Sequence, residues 1–320
     1  MSVSVIGAGR WGTFLGWYLA TYKKENVIIY GLEEAISFQE LKNNRKNDFL
    51  SLPDNVSMSS NLDESLKSDF IVISIEAQQL KVLAQELQQK DIKGKTFLLA
   101  MKGLDIENKA RLTKIMKKYI TQDIEVAVLL GPGHVQDYLK GVLNCAVIDS
   151  ESQETKVRVS KLMESDLVRV YYGVDLIGNE IGGAYKNVIG LCAGMLDALG
   201  WESVKGALMA RSINEVSKFI AYYGGNPLSA SGLAFLGDFQ ATLFSENSNN
   251  RMWGEKFVKG EKDFKKNAEG YYTLKAVYEM SRDANLETPI TDTLYDIVYN
   301  NKDIKTTLSK LFGEDLKDEF

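Results

Sequence analysis

Short apolar runs punctuate the first half of the chain: Val3–Ile6, Val27–Tyr30, Phe70–Ile75, Phe97–Ala100, Val126–Leu130 and Cys145–Ile148. Runs of this length read as strands, and their near-continuous apolar character implies a sheet covered on both faces. Stretches of helical spacing lie among them, at Thr13–Thr21, Gln79–Gln89 and Asn108–Tyr119. This alternation predicts βαβ units and a mostly parallel sheet. From about Asp175 the period changes. Ile181–Leu199, Val204–Tyr223 and Leu274–Arg282 carry apolar residues at helical spacing, with breaks at Gly224-Gly225-Asn226-Pro227 and Glu287-Thr288-Pro289. The last strand-like run is Val168–Tyr172. The expected organisation is therefore an α/β domain over residues 1–174 followed by an all-α domain over 175–320. The charged tail, Lys302 to Phe320, reads as a solvated amphipathic helix.

Composition removes several function classes. Lys and Arg number 38 against 43 Asp and Glu, a net charge of −5 that argues against a general nucleic-acid surface. No apolar run approaches the ~20 residues of a membrane span, and the N-terminus carries no basic leader pattern, so a soluble cytoplasmic protein is expected. Cys145 and Cys192 both sit in apolar surroundings, which suits core residues better than a disulfide or zinc site. His134 is the only histidine, so no metal site is expected and acid–base chemistry falls to Lys, Asp, Glu or Tyr.

Candidate chemistry begins at Gly7-Ala8-Gly9-Arg10-Trp11-Gly12, between a predicted strand and a predicted helix. In that context Gly7 permits a tight turn, Gly9 lets a diphosphate approach the backbone, and Gly12 lets helix and strand pack closely. Free N–H groups at the helix start would then meet the anion. Glu33, after the second strand, reads either as a ligand of a ribose 2′-hydroxyl, favouring NAD, or as the opening residue of the next helix. Lys102-Gly103 and Gly131-Pro132-Gly133-His134 follow further strands, where ligands of open α/β sheets collect. Lys102 reads as an anion or hydroxyl ligand or as a surface lysine. Gly131–Gly133 reads as an anion-binding or a plain turn, and His134 as a base or a loop-lining residue.

In the second half, Gly182-Gly183-Ala184 leaves an uncovered patch on an apolar helix, and Lys186 projects from the same helix. That lysine is either snorkelling or a proton carrier whose pKa is lowered by burial and by a cation such as Lys102. Asp238 reads as a helix cap or a ligand. Asn247-Ser248-Asn249-Asn250-Arg251 reads as a phosphate cradle or a polar loop.

Taken in order, these motifs resemble the bacterial-type NAD(P)-dependent glycerol-3-phosphate dehydrogenases along nearly the whole chain. The matching segments are Gly7–Thr13, Lys102–Leu104, Gly131–His134, Gly183–Asn187, Leu236–Asp238, Ser248–Arg251 and Ala268–Tyr271. The resemblance implies a Rossmann-type domain followed by a helical substrate domain. It also implies hydride exchange between NAD or NADP and C2 of glycerol 3-phosphate, supplying that compound for phospholipid synthesis. It makes Lys186 the proton donor–acceptor, with Lys102 and Asp238 beside the substrate. Substrate contacts would also come from Gly131, Gly133, Ser248, Asn249 and Asn250. Beyond the glycine turn and Glu33, cofactor contacts would come from Arg10, Trp11, Lys102, Val135, Asn249 and Glu269. A phosphorylated small molecule and a second copy of the chain, in a homodimer, are the implied partners.

The chain departs from the pattern at four places. Asn249 stands where the family usually has an arginine that serves both cofactor and substrate phosphate. Gly133 replaces a serine, Leu32 a basic residue, and Glu76-Ala77 a Pro-Ser pair. Arg251 or another basic residue is the expected substitute for the missing arginine. The departures keep two other readings open: another hydroxy acid or phosphorylated ketone as substrate, or a silent dinucleotide-binding regulator.

Overall fold

The computed structural model describes residues 2–245, 248–261 and 268–313. Ten strands occur among them: β1 (Ser2–Ile6), β2 (Asn26–Tyr30), β3 (Val56–Ser59), β4 (Phe70–Ile73), β5 (Thr96–Leu99), β6 (Leu104–Asp105), β7 (Ala110–Arg111), β8 (Glu125–Leu130), β9 (Asn144–Ser150) and β10 (Val168–Tyr172). Eight form one sheet in the order β10-β9-β8-β5-β4-β1-β2-β3, and β6 and β7 form a separate hairpin. From β3 to β8 every pairing is parallel, while β9 runs antiparallel to β8 and pairs in parallel with β10. The six parallel strands therefore follow the 3-2-1-4-5-6 order of a dinucleotide-binding sheet, whose direction of winding reverses between β1 and β4. Side chains on β1 alternate between two cores. Val3 and Val5 join Phe14, Tyr18 and Ile29 on one face, and Ile6 joins Ile73, Leu80 and Phe97 on the other.

The second half is helical around a third core. Its axis is the helix Leu176–Ala198, buried without interruption from Gly178 to Leu196. Two adjacent residues near its start tie it to the sheet domain. Asn179 donates to Asp149 on β9 at 2.8 Å, and the Glu180 carboxylate takes Arg111 together with the backbone N–H and hydroxyl of Thr113. Glycines bring helix Asn249–Val258 against it. A Cβ on Gly194 would lie 1.9 Å from the Arg251 carbonyl oxygen, and one on Gly254 would lie 2.1 Å from the Leu191 carbonyl oxygen.

Four details depart from expectation. The helix expected over 108–119 begins only at Leu112, because 104–111 folds as the β6–β7 hairpin. Strand β3 and helices Ile36–Asn44 and Gln153–Met163 had no clear periodic signal. The tail helix, Ile304–Gly313, is not simply solvated: Leu308 and Leu311 enter the third core, and residues 314–320 lie outside the described residues. The Gly182–Gly183 patch is covered by protein, Gly182 by Phe235 and Gly183 by Leu130. No helix among the described residues is long and apolar enough to cross a membrane.

The glycine seam gives a paired prediction. Gly194→Ala forces two backbones apart and should cost at least ~3 kcal/mol in denaturant unfolding. Gly206→Ala, in helix Lys205–Tyr222 with nothing within 4 Å of the added carbon, should be neutral or stabilising by up to ~1 kcal/mol.

Candidate active site

The carboxyl ends of β1, β4, β5 and β8 open into a cavity of about 900 Å³ that also reaches helices of the second half. Its floor begins at the glycine turn. The β1–β4 register sets Ile6 beside Ile73, so Gly7 turns against Ser74 with φ +116°. A Cβ there would lie 2.1 Å from the Ser74 carbonyl oxygen, and one on Gly12 would lie 2.0 Å from the Gly7 carbonyl oxygen. Gly9, by contrast, faces open space. It caps helix Arg10–Tyr22, whose first turn has no side-chain cap and no acidic residue. Exposed N–H groups and a positive helix end thus face the cavity, an arrangement that fits a diphosphate.

Beside the turn, Trp11 lines the cavity and stacks on Phe14 at 5.2 Å. Glu33 does not line it. Its carboxyl is held down to about 2 by hydrogen bonds from Ser60, Gln39 and Lys42, the last forming a 3.0 Å ion pair. Glu33 lies in the turn before helix Ile36–Asn44, whose N-cap is Ala35, and bonds Gln39 and Lys42 of that helix, while Leu32 and Ser37 form the cavity wall there.

The polar centre lies where β5 and β8 end. Lys102 follows β5, donates to the Gly131 carbonyl oxygen at 2.9 Å and pairs with Asp238. Asp238 is buried and follows a π-helical turn, Leu233–Gly237, a distortion that recurs at functional sites. Its second oxygen receives Lys186 at 3.2 Å, and Lys186 also donates to Thr242 at 3.1 Å. Burial alone would raise the Asp238 pKa, but Lys102 and Lys186 outweigh it and hold the carboxyl ionised below its usual range. Burial lowers Lys186 to about 8, with Asp238 opposing the shift and Lys102 adding to it. Two cations share one anion, and only the lysines reach the cavity wall.

Further round the wall stand Gly133, His134, Val135, Asn187, Ser248, Asn249, Asn250 and Glu269. A Cβ on Gly133 would lie 2.4 Å from the Tyr138 hydroxyl, so the tyrosine fills the space that a serine at 133 would need. Burial lowers the His134 pKa, and its Nε2 lies 3.3 Å from the Ala241 carbonyl oxygen. Ser248 caps helix Asn249–Val258 by accepting from the Arg251 N–H. Asn250 donates to Asn187 at 2.9 Å and accepts from the Gly270 N–H at 2.8 Å, which leaves one amide hydrogen for a ligand. Arg251 is not on the wall: Asp197 at 2.5 Å and Glu255 at 2.7 Å hold its guanidinium. Glu269 has a buried Oε1 without a hydrogen-bond partner, and burial raises its pKa to about 7.

The expected residues thus separate by position. Gly7, Gly9, Arg10, Trp11, Lys102, Gly133, Val135, Lys186, Ser248, Asn249, Asn250 and Glu269 converge on the cavity. Gly12, Gly131 and Asp238 support them from behind, Glu33 and Arg251 are engaged elsewhere, and Asn247 lies outside the described residues. Thr242 and Tyr138 were missed. The signal for Thr242 was its spacing of four from Asp238 on one helix, whereas Tyr138 had none.

Comparison with known proteins agrees with this geometry. Residues 2–156 match the family model described as NAD-dependent glycerol-3-phosphate dehydrogenase N-terminus, and residues 175–309 match the corresponding C-terminus model. Glycerol-3-phosphate dehydrogenase [NAD(P)+] of Chlorobium limicola is 30% identical, with 100% of this chain and 99% of that protein aligned. The protein of the same name from Ligilactobacillus salivarius is 32% identical, over 99% and 98%. Among solved structures, glycerol-3-phosphate dehydrogenase from Coxiella burnetii superposes with a TM-score of 0.91 at 23% identity, covering 98% of this chain and 99% of that one. D-mandelate dehydrogenase in complex with NADH shares the fold at a TM-score of 0.63 and 17% identity, over 96% and 99%. A glycine turn shaped for a diphosphate, two lysines on one buried aspartate and full-length relatives of one kind establish that this chain belongs to the NAD-dependent glycerol-3-phosphate dehydrogenase family.

Proposed function

We propose that this protein interconverts dihydroxyacetone phosphate and sn-glycerol 3-phosphate with NAD or NADP, residues 1–174 holding the cofactor and 175–320 the substrate. The observation that carries the reading is the Lys102–Asp238–Lys186 cluster at the cavity wall. When bound, the nicotinamide supplies or accepts the hydride at C2. Lys186 Nζ gives a proton to the C2 oxygen during reduction and takes it back during oxidation. Lys102 donates a hydrogen bond to the same region and favours the neutral form of Lys186. Asp238 stays ionised, fixes both amines and keeps Lys186 protonated near neutrality. Ser248, Asn250 and the start of helix Asn249–Val258 offer N–H and O–H donors to the substrate phosphate. In cells the enzyme would act as a cytoplasmic homodimer supplying glycerol 3-phosphate for phospholipid synthesis. Exposed Tyr171 and Tyr172 on edge strand β10, with exposed Val174 just beyond it, support the dimer reading.

The direct test follows NADH or NADPH oxidation with dihydroxyacetone phosphate, and folded protein without turnover on either cofactor would overturn the reading. Lys186→Met should lower kcat/KM by about 10²–10⁴-fold. Reduction needs the protonated amine, so its rate should fall as pH rises through about 8, while oxidation should rise over the same range. Lys102→Met removes a cation that lowers the Lys186 pKa, so the midpoint should move to higher pH. Asp238→Asn removes the anion that raises it and should move the midpoint down.

A separate pH effect comes from Glu269. Its pKa is raised from 4.5 to about 7, so the fold favours the protonated carboxyl and loses stability as pH climbs between those values. Glu269→Gln should remove that loss. Its Tm advantage over the parent should grow from pH 5 to pH 7 and then level off, at a difference on the order of 3 kcal/mol.

A further inference from the structure

One buried cluster of charges takes no part in the chemistry above. Asp197, near the end of helix Leu176–Ala198, pairs with Lys205 and with Arg251, and none of the three side chains is more than 17% exposed. Glu255 also meets the Arg251 guanidinium, at 2.7 Å. None of these four residues lines the cavity. Buried ion pairs add little net stability over apolar packing, but they fix direction, because each cation points at particular oxygens. Here those oxygens include main chain.

Lys205 donates to the Leu243 carbonyl oxygen at 3.1 Å, at the close of helix Asp238–Phe244. Arg251 donates to the Ser245 carbonyl oxygen at 3.4 Å, and the same oxygen accepts the Ser248 N–H at 3.4 Å. One carboxylate therefore ties the exit of the helix that carries Asp238 and Thr242 to the entry of the helix that carries Asn250. The central helix seats all of this on one face. Lys186 and Asp197 lie about three turns apart on that face. Between them Gly190 receives Thr242 and Asn250, each 3.1 Å from where its Cβ would be, and Gly194 receives the Arg251 carbonyl. The proton carrier and the Asp197 anchor thus stand at the two ends of one strip, with Asn250 between them.

We propose that Asp197 is a positioning residue for the phosphate end of the substrate: through Lys205 and Arg251 it holds Ser248 and Asn250 in place at the cavity wall, without touching the substrate. This rests on the dihydroxyacetone phosphate reading above and goes beyond it by separating two tasks. Lys102 and Lys186 hold Asp238 at the start of its helix, so proton transfer does not depend on Asp197, whereas the grip on the phosphate does.

The test is steady-state kinetics of the full-length protein with dihydroxyacetone phosphate and NADH or NADPH, beside titration of the same cofactor by fluorescence. Asp197→Asn should raise KM for dihydroxyacetone phosphate about 10- to 100-fold, the effect of misplacing one donor to a charged group, with a smaller change in kcat. Cofactor affinity should hold, and the pH midpoint of reduction should stay near 8, because burial, Asp238 and Lys102 set it. Arg251→Gln leaves Asp197 paired with Lys205 and decides the question if Asp197→Asn does not fold; it should raise KM in the same sense. The double variant should do no worse than the worse single one, since both break one connection. A folded variant of either kind with the parent's KM would overturn the proposal. So would a KM rise matched by an equal loss of cofactor affinity, which marks general loosening, or a shifted pH midpoint, which places the effect at the lysines. A parent protein without turnover defeats the functional reading and this proposal together, whereas an active parent with indifferent variants defeats this proposal alone.

Discussion

The rest of the molecule depends on burying one helix on every side. Leu176–Ala198 carries five polar side chains in its buried stretch, and each must find a partner away from water. Asn179 finds Asp149, Glu180 finds Arg111 and Thr113, and Tyr185 finds Glu215 and Thr291. Lys186 finds Asp238 and Thr242, and Asn187 finds Asn250. These partners come from β9, from the hairpin and the helix after it, and from most of the second half. Satisfying one helix thereby fixes how the sheet and the helical bundle sit together.

Of the five, only Lys186 and Asn187 also reach the cavity. The chemistry therefore grows out of an ordinary structural requirement. A buried lysine needs an anion, and Asp238 supplies it while also serving Lys102; burial and that second cation pull the Lys186 pKa down to about 8, and Asp238 opposes them. The three groups come from the two halves of the chain, Lys102 from the end of β5 and the other two from helices beyond residue 175.

Much of this was readable from residue order. The parallel strands announced themselves because both faces are covered, leaving apolar runs such as Phe70–Ile73 without polar interruption. The glycine turn was readable because each glycine has a separate steric reason. The short pieces were not: β3 is four residues with two serines, and the β6–β7 hairpin overlaps a stretch whose spacing passes for helix. The partners of Glu33 were not legible locally, since Gln39 and Lys42 lie on the following helix and Ser60 lies just after β3. Arg251 looked available because Asp197, which captures it, lies 54 residues earlier. The Gly133–Tyr138 exchange of space is a tertiary fact with no signature in either residue alone.

The seam between helices Leu176–Ala198 and Asn249–Val258 has one more consequence. Where Gly194 and Gly254 let two backbones touch, the spacing of the two helices is set by main chain and not by side-chain size. Exchanging residues on the cavity wall leaves that spacing unchanged, whereas a larger residue at either glycine would force the two helices apart.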